Sequence, residues 1–136
     1  MEQITIRDYG PWRETEILPL YASVGWSNYV NSPEMLRRAF EGSLCILGAY
    51  EGERLVGLAR AVGDGSSILF LQDLLIRPEY QRRGIGRSLV EALLERYPQV
   101  YQVQLATDRT PKNLAFYRAL GFRSYEELGC CGFMKG

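Results

Sequence analysis

Residues 68–96 constrain the fold more than any other stretch, because they join a strand, a glycine turn and a helix without interruption. Residues 68–76 are a mostly apolar run of strand length, and Pro78 prevents a central strand from continuing. Residues 89–96 place apolar side chains on one helical face. The turn between them carries two glycines and three arginines. This segment predicts a strand–turn–helix unit at the centre of the fold.

The turn has the chemistry of an anion site. The first N–H groups of a helix lack internal acceptors, and the helix dipole adds partial positive charge there. Glycines let an anion approach closely, so a phosphate or pyrophosphate is the expected ligand. The turn lacks the Gly-Lys-Ser/Thr of a P-loop, and Leu89 stands where a dinucleotide fingerprint needs a small residue. Asp108 could supply the acid of that fingerprint, but only 50 residues follow Gly86, too few for a doubly wound domain. From the glycines alone, an ordinary turn with solvated arginines remains the alternative.

The composition fits a single domain over residues 1–136, with 46% apolar and 24% charged residues. Lysine plus arginine equals aspartate plus glutamate, at 16 each, so we expect neither a nucleic-acid nor a membrane partner. No apolar segment has the length of a membrane span or a signal peptide. The chain has no histidine, and its three cysteines lack zinc-ligand spacing. We therefore expect a cytoplasmic protein with no metal site and with reduced, mostly packed thiols.

The remaining patterns predict an α+β fold with a mixed, mostly antiparallel sheet and helices on both faces. The predicted elements are a strand at 3–7, a helix at 12–24 that Pro19 kinks or divides, an aromatic loop at 25–31, a helix from Ser32 to Gly42, strands at 44–50, 54–62 and 68–76, the central helix, a strand at 100–107, a helix from Thr110 to Gly121, and a closing hairpin of 122–128 and 131–134 around Gly129. The strand at 100–107 follows a helical crossover, so it should lie parallel to the central strand.

Two motifs resemble those of the GCN5-related N-acetyltransferase (GNAT) superfamily. Residues 81–86, Gln-Arg-Arg-Gly-Ile-Gly, follow Ile76-Arg-Pro78 and resemble its acetyl-CoA motif, while residues 113–122 resemble its second signature helix. The resemblance implies the GNAT acyl-CoA N-acyltransferase fold over essentially the whole chain. In that fold, the central strand and the next parallel strand splay apart and hold acetyl-CoA between them.

The resemblance also implies roles for particular residues. The backbone of the central strand would align the pantetheine arm like an added strand, and the N–H of Leu75 would bind the developing oxyanion. Tyr117 would protonate the leaving thiolate, since thiol and phenol pKa values are close. The cofactor site so implied comprises Leu74, Leu75, Ile76, Gln81, Arg82, Arg83, Gly84, Ile85, Gly86, Arg87, Ser88, Asn113 and Tyr117, with N–H groups from Arg83 to Ser88 on the pyrophosphate. Core packing of Tyr117 and a local capping role of Asn113 are the alternatives.

The general base and the acceptor site are less well marked. Phe70 stands where many relatives carry a catalytic glutamate, so Asp73, the nearest carboxylate, is the candidate base. Asp73 could instead be a structural hydrogen-bonding group, with a water chain or an amine of lower pKa replacing the base. Trp26 and Tyr29 are expected to line the acceptor pocket, unless they only anchor their loop to the core.

The expected function is direct transfer of the acetyl group of acetyl-CoA to a primary amine, of a small molecule, in a ternary complex. Two alternatives stay open, which are acetylation of a protein or peptide amine and a coenzyme A-binding module without transfer activity. A homodimer is common in the superfamily, although no residue of this sequence marks an interface.

Overall fold

The computed structural model describes residues 3–136 in two compact units, one ending at Ala106 and one comprising Thr107–Gly136. The single domain predicted over residues 1–136 stays a prediction. The helices and strands are β1 (Ile4–Asp8), α1 (Glu14–Ser23), α2 (Ser27–Val30), α3 (Pro33–Glu41), β2 (Cys45–Glu51), β3 (Arg54–Gly63), β4 (Ile68–Ile76), α4 (Ile85–Arg96), β5 (Gln102–Leu105) and α5 (Pro111–Ala119), with short 3-10 turns at Pro78–Tyr80 and Glu126–Leu128.

The first unit contains one five-stranded sheet in the order β1-β2-β3-β4-β5. The first four strands pair antiparallel, and β4 pairs parallel with β5. This confirms the predicted meander and the predicted parallel strand after the α4 crossover. The Asp64-Gly65 turn between β3 and β4 is fixed by the Asp64 carboxylate, which accepts hydrogen bonds from the backbone N–H groups of Ser66 and Ser67.

A β-bulge interrupts β4. Arg60 of β3 lies opposite Asp73, whereas its neighbour Ala61 lies opposite Leu71, so Gln72 is an extra residue on β4. Residues that lie opposite each other share a face of the sheet. The bulge therefore puts Asp73 and Leu71 on opposite faces, although simple alternation would put them on the same face.

Helices cover both faces of the sheet. Helices α1 and α3 pack on one face, in a core that includes Tyr21, Leu36 and Phe40 from the helices and Leu58 and Leu75 from the sheet. Helix α4 lies against β1–β4 through its own buried face. Every residue of β3 from Leu55 to Ala61 is buried, as expected for a strand that is covered on both sides.

Several local predictions need correction. Pro19 lies inside one continuous helix α1, so it does not divide that helix. The predicted aromatic loop contains the short helix α2. Ser32 occupies the N-cap of α3, but its side chain makes no capping hydrogen bond. Cys45 is buried as expected, whereas Cys130 and Cys131 are free and exposed rather than packed.

The predicted closing hairpin is wrong. Among residues 107–136, the segment after Phe122 forms no strand and contains only the 3-10 turn Glu126–Leu128. Local bonds explain this turn, because the Glu127 carboxylate accepts from the backbone N–H and the hydroxyl of Ser124. Gly129 then takes a left-handed conformation, and the N–H of Cys130 donates to the carbonyl of Tyr125 at 2.7 Å. These contacts compete successfully with extended pairing.

Candidate functional site

Strand β4 has an open edge beyond Leu71. β5 pairs with β4 only from Ile68, opposite Gln102, to Leu71, opposite Leu105. Within residues 3–106, no strand pairs with that side of β4 from Gln72 onward. The second half of β4 therefore offers unpaired backbone groups to an extended ligand. The GNAT resemblance implies that β4 and β5 diverge, and their pairing does end at this point.

The direction of the backbone groups along β4 follows from its bonds to β3. The N–H of Arg77 donates to the carbonyl of Val56 at 2.8 Å. Successive residues of an antiparallel strand direct their N–H and C=O groups to alternate sides. The backbone groups of Ile76 and Leu74 therefore point to the open edge. The side chain of Gln81 agrees with this, because its Nε2 donates to the carbonyl of Ile76 at 3.0 Å.

The structure moves the predicted oxyanion donor by one residue. The GNAT resemblance implies that role for the N–H of Leu75. In the observed register Leu75 lies opposite Leu58, and alternation directs its N–H toward β3. Its side chain belongs to the core between the sheet and α1. The N–H of Leu74 points to the open edge and is the better donor.

The turn after the open edge contains two residues in the left-handed conformation. Gly84, the N-cap of α4, has φ 80°, and a Cβ there would meet no atom within 4 Å. Glycine is thus required by the backbone conformation and not by lack of space. Arg82 has φ 65° and is the one non-glycine residue with positive φ in the described chain. Such a conformation costs roughly 1–3 kcal/mol and is typical of functional sites.

The beginning of α4 presents free donors to solvent. The first i to i−4 bond runs from the N–H of Ser88 to the carbonyl of Gly84, at 3.0 Å. The N–H groups of Ile85, Gly86 and Arg87 come before it and have no such acceptor. Because the N–H of Ser88 already donates to Gly84, it is not available as the phosphate donor that was predicted. The first turn carries no acidic residue, which suits an anion at this helix end.

The three arginines of the turn differ in their partners. Arg83 lies over the ring of Tyr80, with 4.9 Å between guanidinium carbon and ring centroid. Arg87 forms an ion pair with Glu91 at 3.0 Å. Within residues 3–136 Arg82 makes no hydrogen bond or ion pair, so its charge is available to a bound anion. The residues of this turn therefore fit a phosphorylated cofactor.

Asp73 is the centre of a buried polar cluster. Its carboxylate accepts hydrogen bonds from the Nε of Arg60 at 2.7 Å and from the hydroxyls of Tyr21 at 2.9 Å and Tyr29 at 3.1 Å. Burial acts to lower the pKa of Arg60, but the Asp73 charge beside it leaves that pKa above its ordinary value. These three bonds engage both carboxylate oxygens inside the core, where Asp73 is only 2% exposed, so the carboxylate is not presented to an incoming amine. The cluster therefore supports the structural alternative for Asp73 and not the role of base.

Trp26 and Tyr29 pack on the core. Both are half-buried, and their ring centroids lie 5.8 Å and 5.2 Å from that of Tyr21 in edge-to-face arrangements. Aromatic pairs at such distances contribute roughly 0.5–1.5 kcal/mol each beyond burial. They anchor α2 to α1, as the alternative from sequence stated. A role in binding an acceptor stays a prediction for the faces that remain exposed.

The second unit holds Tyr117 on α5. Its ring is half-buried between Phe116 and Phe122, with centroid distances of 4.9 Å and 5.9 Å. Burial raises the pKa of Tyr117 above its ordinary value. None of the hydrogen bonds among the described residues uses its hydroxyl, while its ring packs as the alternative from the sequence expects. The group stays protonated at neutral pH and is free to donate.

Asn113 lies in the first turn of α5 and has a local role. Its backbone N–H donates to the N-cap hydroxyl of Thr110 at 3.1 Å, and its Nδ2 donates to the carbonyl of Asp108 at 3.0 Å. These bonds confirm that Asn113 helps to form the start of the helix. A contact with a cofactor stays a prediction.

Sequence reasoning missed two residues of the Asp73 cluster and the bulge beside it. Tyr21 is 52 positions from Asp73 in the chain, and Arg60 reads as one polar residue in an apolar strand. An arginine inside an apolar strand is expected to be buried and to need a carboxylate partner, so Arg60 was the one residue of the sequence that indicated the cluster. The bulge at Gln72 leaves no trace in the sequence, because residues on both faces of β4 are buried.

Comparison with known proteins supports one family. The family described as "Acetyltransferase (GNAT) domain" matches residues 15–130. Histone acetyltransferase TAP1 of Glycine max is 31% identical over 85% of this chain. Serotonin N-acetyltransferase 2, chloroplastic, of Oryza sativa subsp. japonica is 32% identical over 76% of it. This chain spans only 48% and 52% of these two longer relatives.

A solved structure resembles the whole chain. It is a GNAT-family acetyltransferase from Streptococcus pneumoniae TIGR4, 44% identical, with a TM-score of 0.89 and coverage of 98% of this chain and 97% of that one. Among residues 3–136 we find no helix of the length and apolar character that crossing a membrane requires.

Proposed function

The chain belongs to the acetyltransferase (GNAT) family, and from this premise we propose that it transfers the acetyl group of acetyl-CoA directly to the primary amine of a small molecule. The observation that carries the proposal is the open edge of β4, which leads without a break into the left-handed turn at Arg82 and Gly84. An amide-bearing arm and a pyrophosphate need these two features in this order.

The residues that would hold acetyl-CoA are those with free groups. The backbone groups of Leu74 and the N–H of Ile76 would pair with the pantetheine arm, since the carbonyl of Ile76 already accepts from Gln81. The N–H groups of Ile85, Gly86 and Arg87 would bind the pyrophosphate, with Arg82 adding charge. When bound, acetyl-CoA supplies the activated acetyl thioester. The N–H of Leu74 would stabilise the oxyanion, a type of contact worth about 2.7–4 kcal/mol in other enzymes.

Proton transfer would use Tyr117 on the leaving-group side. A thiol has a pKa near 8.5 and a tyrosine near 10, so a protonated tyrosine can donate to a thiolate. Its hydroxyl, unengaged among the described residues, supports this assignment, and burial raises the pKa of Tyr117, which keeps that hydroxyl protonated at neutral pH. On the amine side, Asp73 is engaged and Phe70 carries no charge. We propose that the ammonium proton passes to solvent water, or that the acceptor is an amine with a low pKa.

The chemistry of α2 favours a small aromatic or apolar amine. Residues 24–33 include Trp26 and Tyr29 but no charged residue. A lysine-rich peptide would require acidic residues for recognition, whereas two aromatic rings suit an arylalkylamine by packing and cation–π contact. A peptide acceptor is the second candidate, because one relative is named a histone acetyltransferase. We propose the cytoplasm as compartment, consistent with three free thiols.

Calorimetric titration with acetyl-CoA tests the cofactor site. We compare the wild type with Gly84→Glu, which places a negative charge at the proposed pyrophosphate site. Gly129→Glu is the matched control, because Gly129 has φ 77° against 80° and a Cβ at either position meets nothing within 4 Å. We expect micromolar binding that is lost in Gly84→Glu and kept in Gly129→Glu. Equal binding by all three proteins would place acetyl-CoA elsewhere.

An acetylation assay then tests the acceptor class. Serotonin, spermidine and a lysine-containing peptide represent an arylalkylamine, an aliphatic polyamine and a protein tail. We expect serotonin to be preferred by kcat/KM. A preference for the peptide would favour the second candidate. Acetyl-CoA binding without acetylation of any amine would favour a coenzyme A-binding module.

A further inference from the structure

The Asp73 cluster joins three separate elements through one carboxylate. Tyr21 lies on α1, Tyr29 on α2 and Arg60 on β3, and all three donate to Asp73 on β4. Asp73 and Arg60 are only 2% and 4% exposed, so their ion pair is shielded from water, whereas Tyr29 is half-buried. A hydrogen bond to a buried charge is stronger than one at the surface.

Helix α2 depends on such contacts. It has four residues, and its N-cap, Trp26, makes no side-chain capping bond. An isolated helix of this length is not stable in water. Besides its own turn, its contacts include edge-to-face packing of Trp26 and Tyr29 against Tyr21, packing of Val30 on the core, and the bond from the Tyr29 hydroxyl to Asp73. Through this bond the side chain of Tyr29 connects α2 to strand β4 of the sheet.

Asp73 also lies next to the open edge of β4. The next residue, Leu74, directs its N–H to the open side of β4, and the bulge at Gln72 precedes Asp73. The bulge turns the Asp73 side chain toward the face covered by α1 and α2. Asp73 therefore binds Tyr29 of α2 on one face of the sheet, while the next residue, Leu74, directs its N–H to the open edge of β4.

We propose that Tyr29 is a positioning residue for the acceptor amine, which acts by tying α2 to Asp73 and so fixes the acceptor side of the site relative to the Leu74 edge. This inference rests on the proposed function. Tyr21 donates to the same carboxylate from inside the core, where it stabilises the fold without holding α2 through that hydroxyl. Removal of either hydroxyl leaves Asp73 with two donors. The two variants therefore differ only in whether the lost bond came from α1, with Tyr21, or from α2, with Tyr29.

Tyr29→Phe and Tyr21→Phe form a matched pair, since each removes one hydroxyl donor and keeps the ring. Hydrogen exchange is followed at the amides of Tyr29, Val30 and Asn31, which donate to the carbonyls of Trp26 and Ser27. We expect about tenfold faster exchange there in Tyr29→Phe only, since that variant loses a hydrogen bond to a charged group. KM for serotonin should rise about tenfold in that variant, with KM for acetyl-CoA and calorimetric acetyl-CoA binding unchanged.

The outcomes separate this proposal from the proposed function. Unchanged exchange in Tyr29→Phe, or the same change in both variants, would overturn the tie between α2 and Asp73. A rise in KM for acetyl-CoA instead of serotonin would overturn the acceptor role. If the wild type binds acetyl-CoA but acetylates none of serotonin, spermidine and the peptide, the proposed function fails with the acceptor role, while the exchange data still decide whether Tyr29 fixes α2.

Discussion

Asp73→Asn should be among the most destabilising single substitutions in the chain. It leaves the guanidinium of Arg60 buried without its counter-charge, while the Asn carbonyl can still accept from the tyrosines. Removing one partner of a buried ion pair costs about 3–5 kcal/mol, because the other charge stays desolvated. A domain of this kind has a free energy of unfolding of roughly 5–15 kcal/mol. The variant should therefore still fold, with a large part of its stability lost.

Urea denaturation followed by circular dichroism measures this loss. With a slope of about 2 kcal/mol per molar urea, the midpoint should fall by about 1.5–2.5 M. Glu91→Gln is the matched control, because it breaks the exposed ion pair of Arg87 and Glu91 on α4. An exposed i,i+4 pair contributes only about 0.3–0.5 kcal/mol, so the midpoint should hardly move.

A double variant tests the physical cause. Arg60→Met combined with Asp73→Asn removes both charges and keeps an acceptor for Tyr21 and Tyr29. Its stability should exceed that of Asp73→Asn by about 2 kcal/mol or more, since no uncompensated charge remains. The reasoning is refuted if Asp73→Asn costs less than about 1 kcal/mol, or if the double variant is no more stable than the single one.

Three further outcomes follow from the same structure. Arg82→Gly should raise the free energy of unfolding by about 0.5–1 kcal/mol in a urea titration, because it relieves a left-handed non-glycine residue, yet it should weaken acetyl-CoA binding in calorimetry; a loss of stability would contradict the assigned strain. Tyr117→Phe should lower kcat by about 10²–10⁴ with little change in KM for acetyl-CoA, and an unchanged kcat would remove Tyr117 as the acid. Burial and the Asp73 charge raise the pKa of Tyr21, so the folded protein keeps that proton while the unfolded chain loses it above about pH 10. The contribution of Tyr21 to stability should be constant below that pH and lost above it, so the loss of stability above that pH should be smaller in Tyr21→Phe than in the wild type.

The sequence determined the elements with strong local causes. Pro78 ends β4, and Gly84 is needed where the chain turns into α4 with positive φ. Thr110 at the N-cap and Pro111 at the first position begin α5. The turn at Asp64 is likewise a property of the residues in it. Each of these features rests on neighbours within a few positions, so the glycine turn before α4 and the order of elements from β1 to α5, apart from the short α2, could be predicted without a structure.

The tertiary structure decided what depends on partners distant in the chain. The bulge at Gln72 arises from the register between β3 and β4, and alternation alone would place Asp73 on the same face as Leu71. That register also decides that Leu74, and not Leu75, directs its N–H to the open edge. The partners of Asp73 are Arg60 of β3 and tyrosines of two helices, which only the tertiary structure brings to it. A period of two in the sequence carries no information on such shifts when both faces of a strand are buried, because either face then demands the same apolar residues.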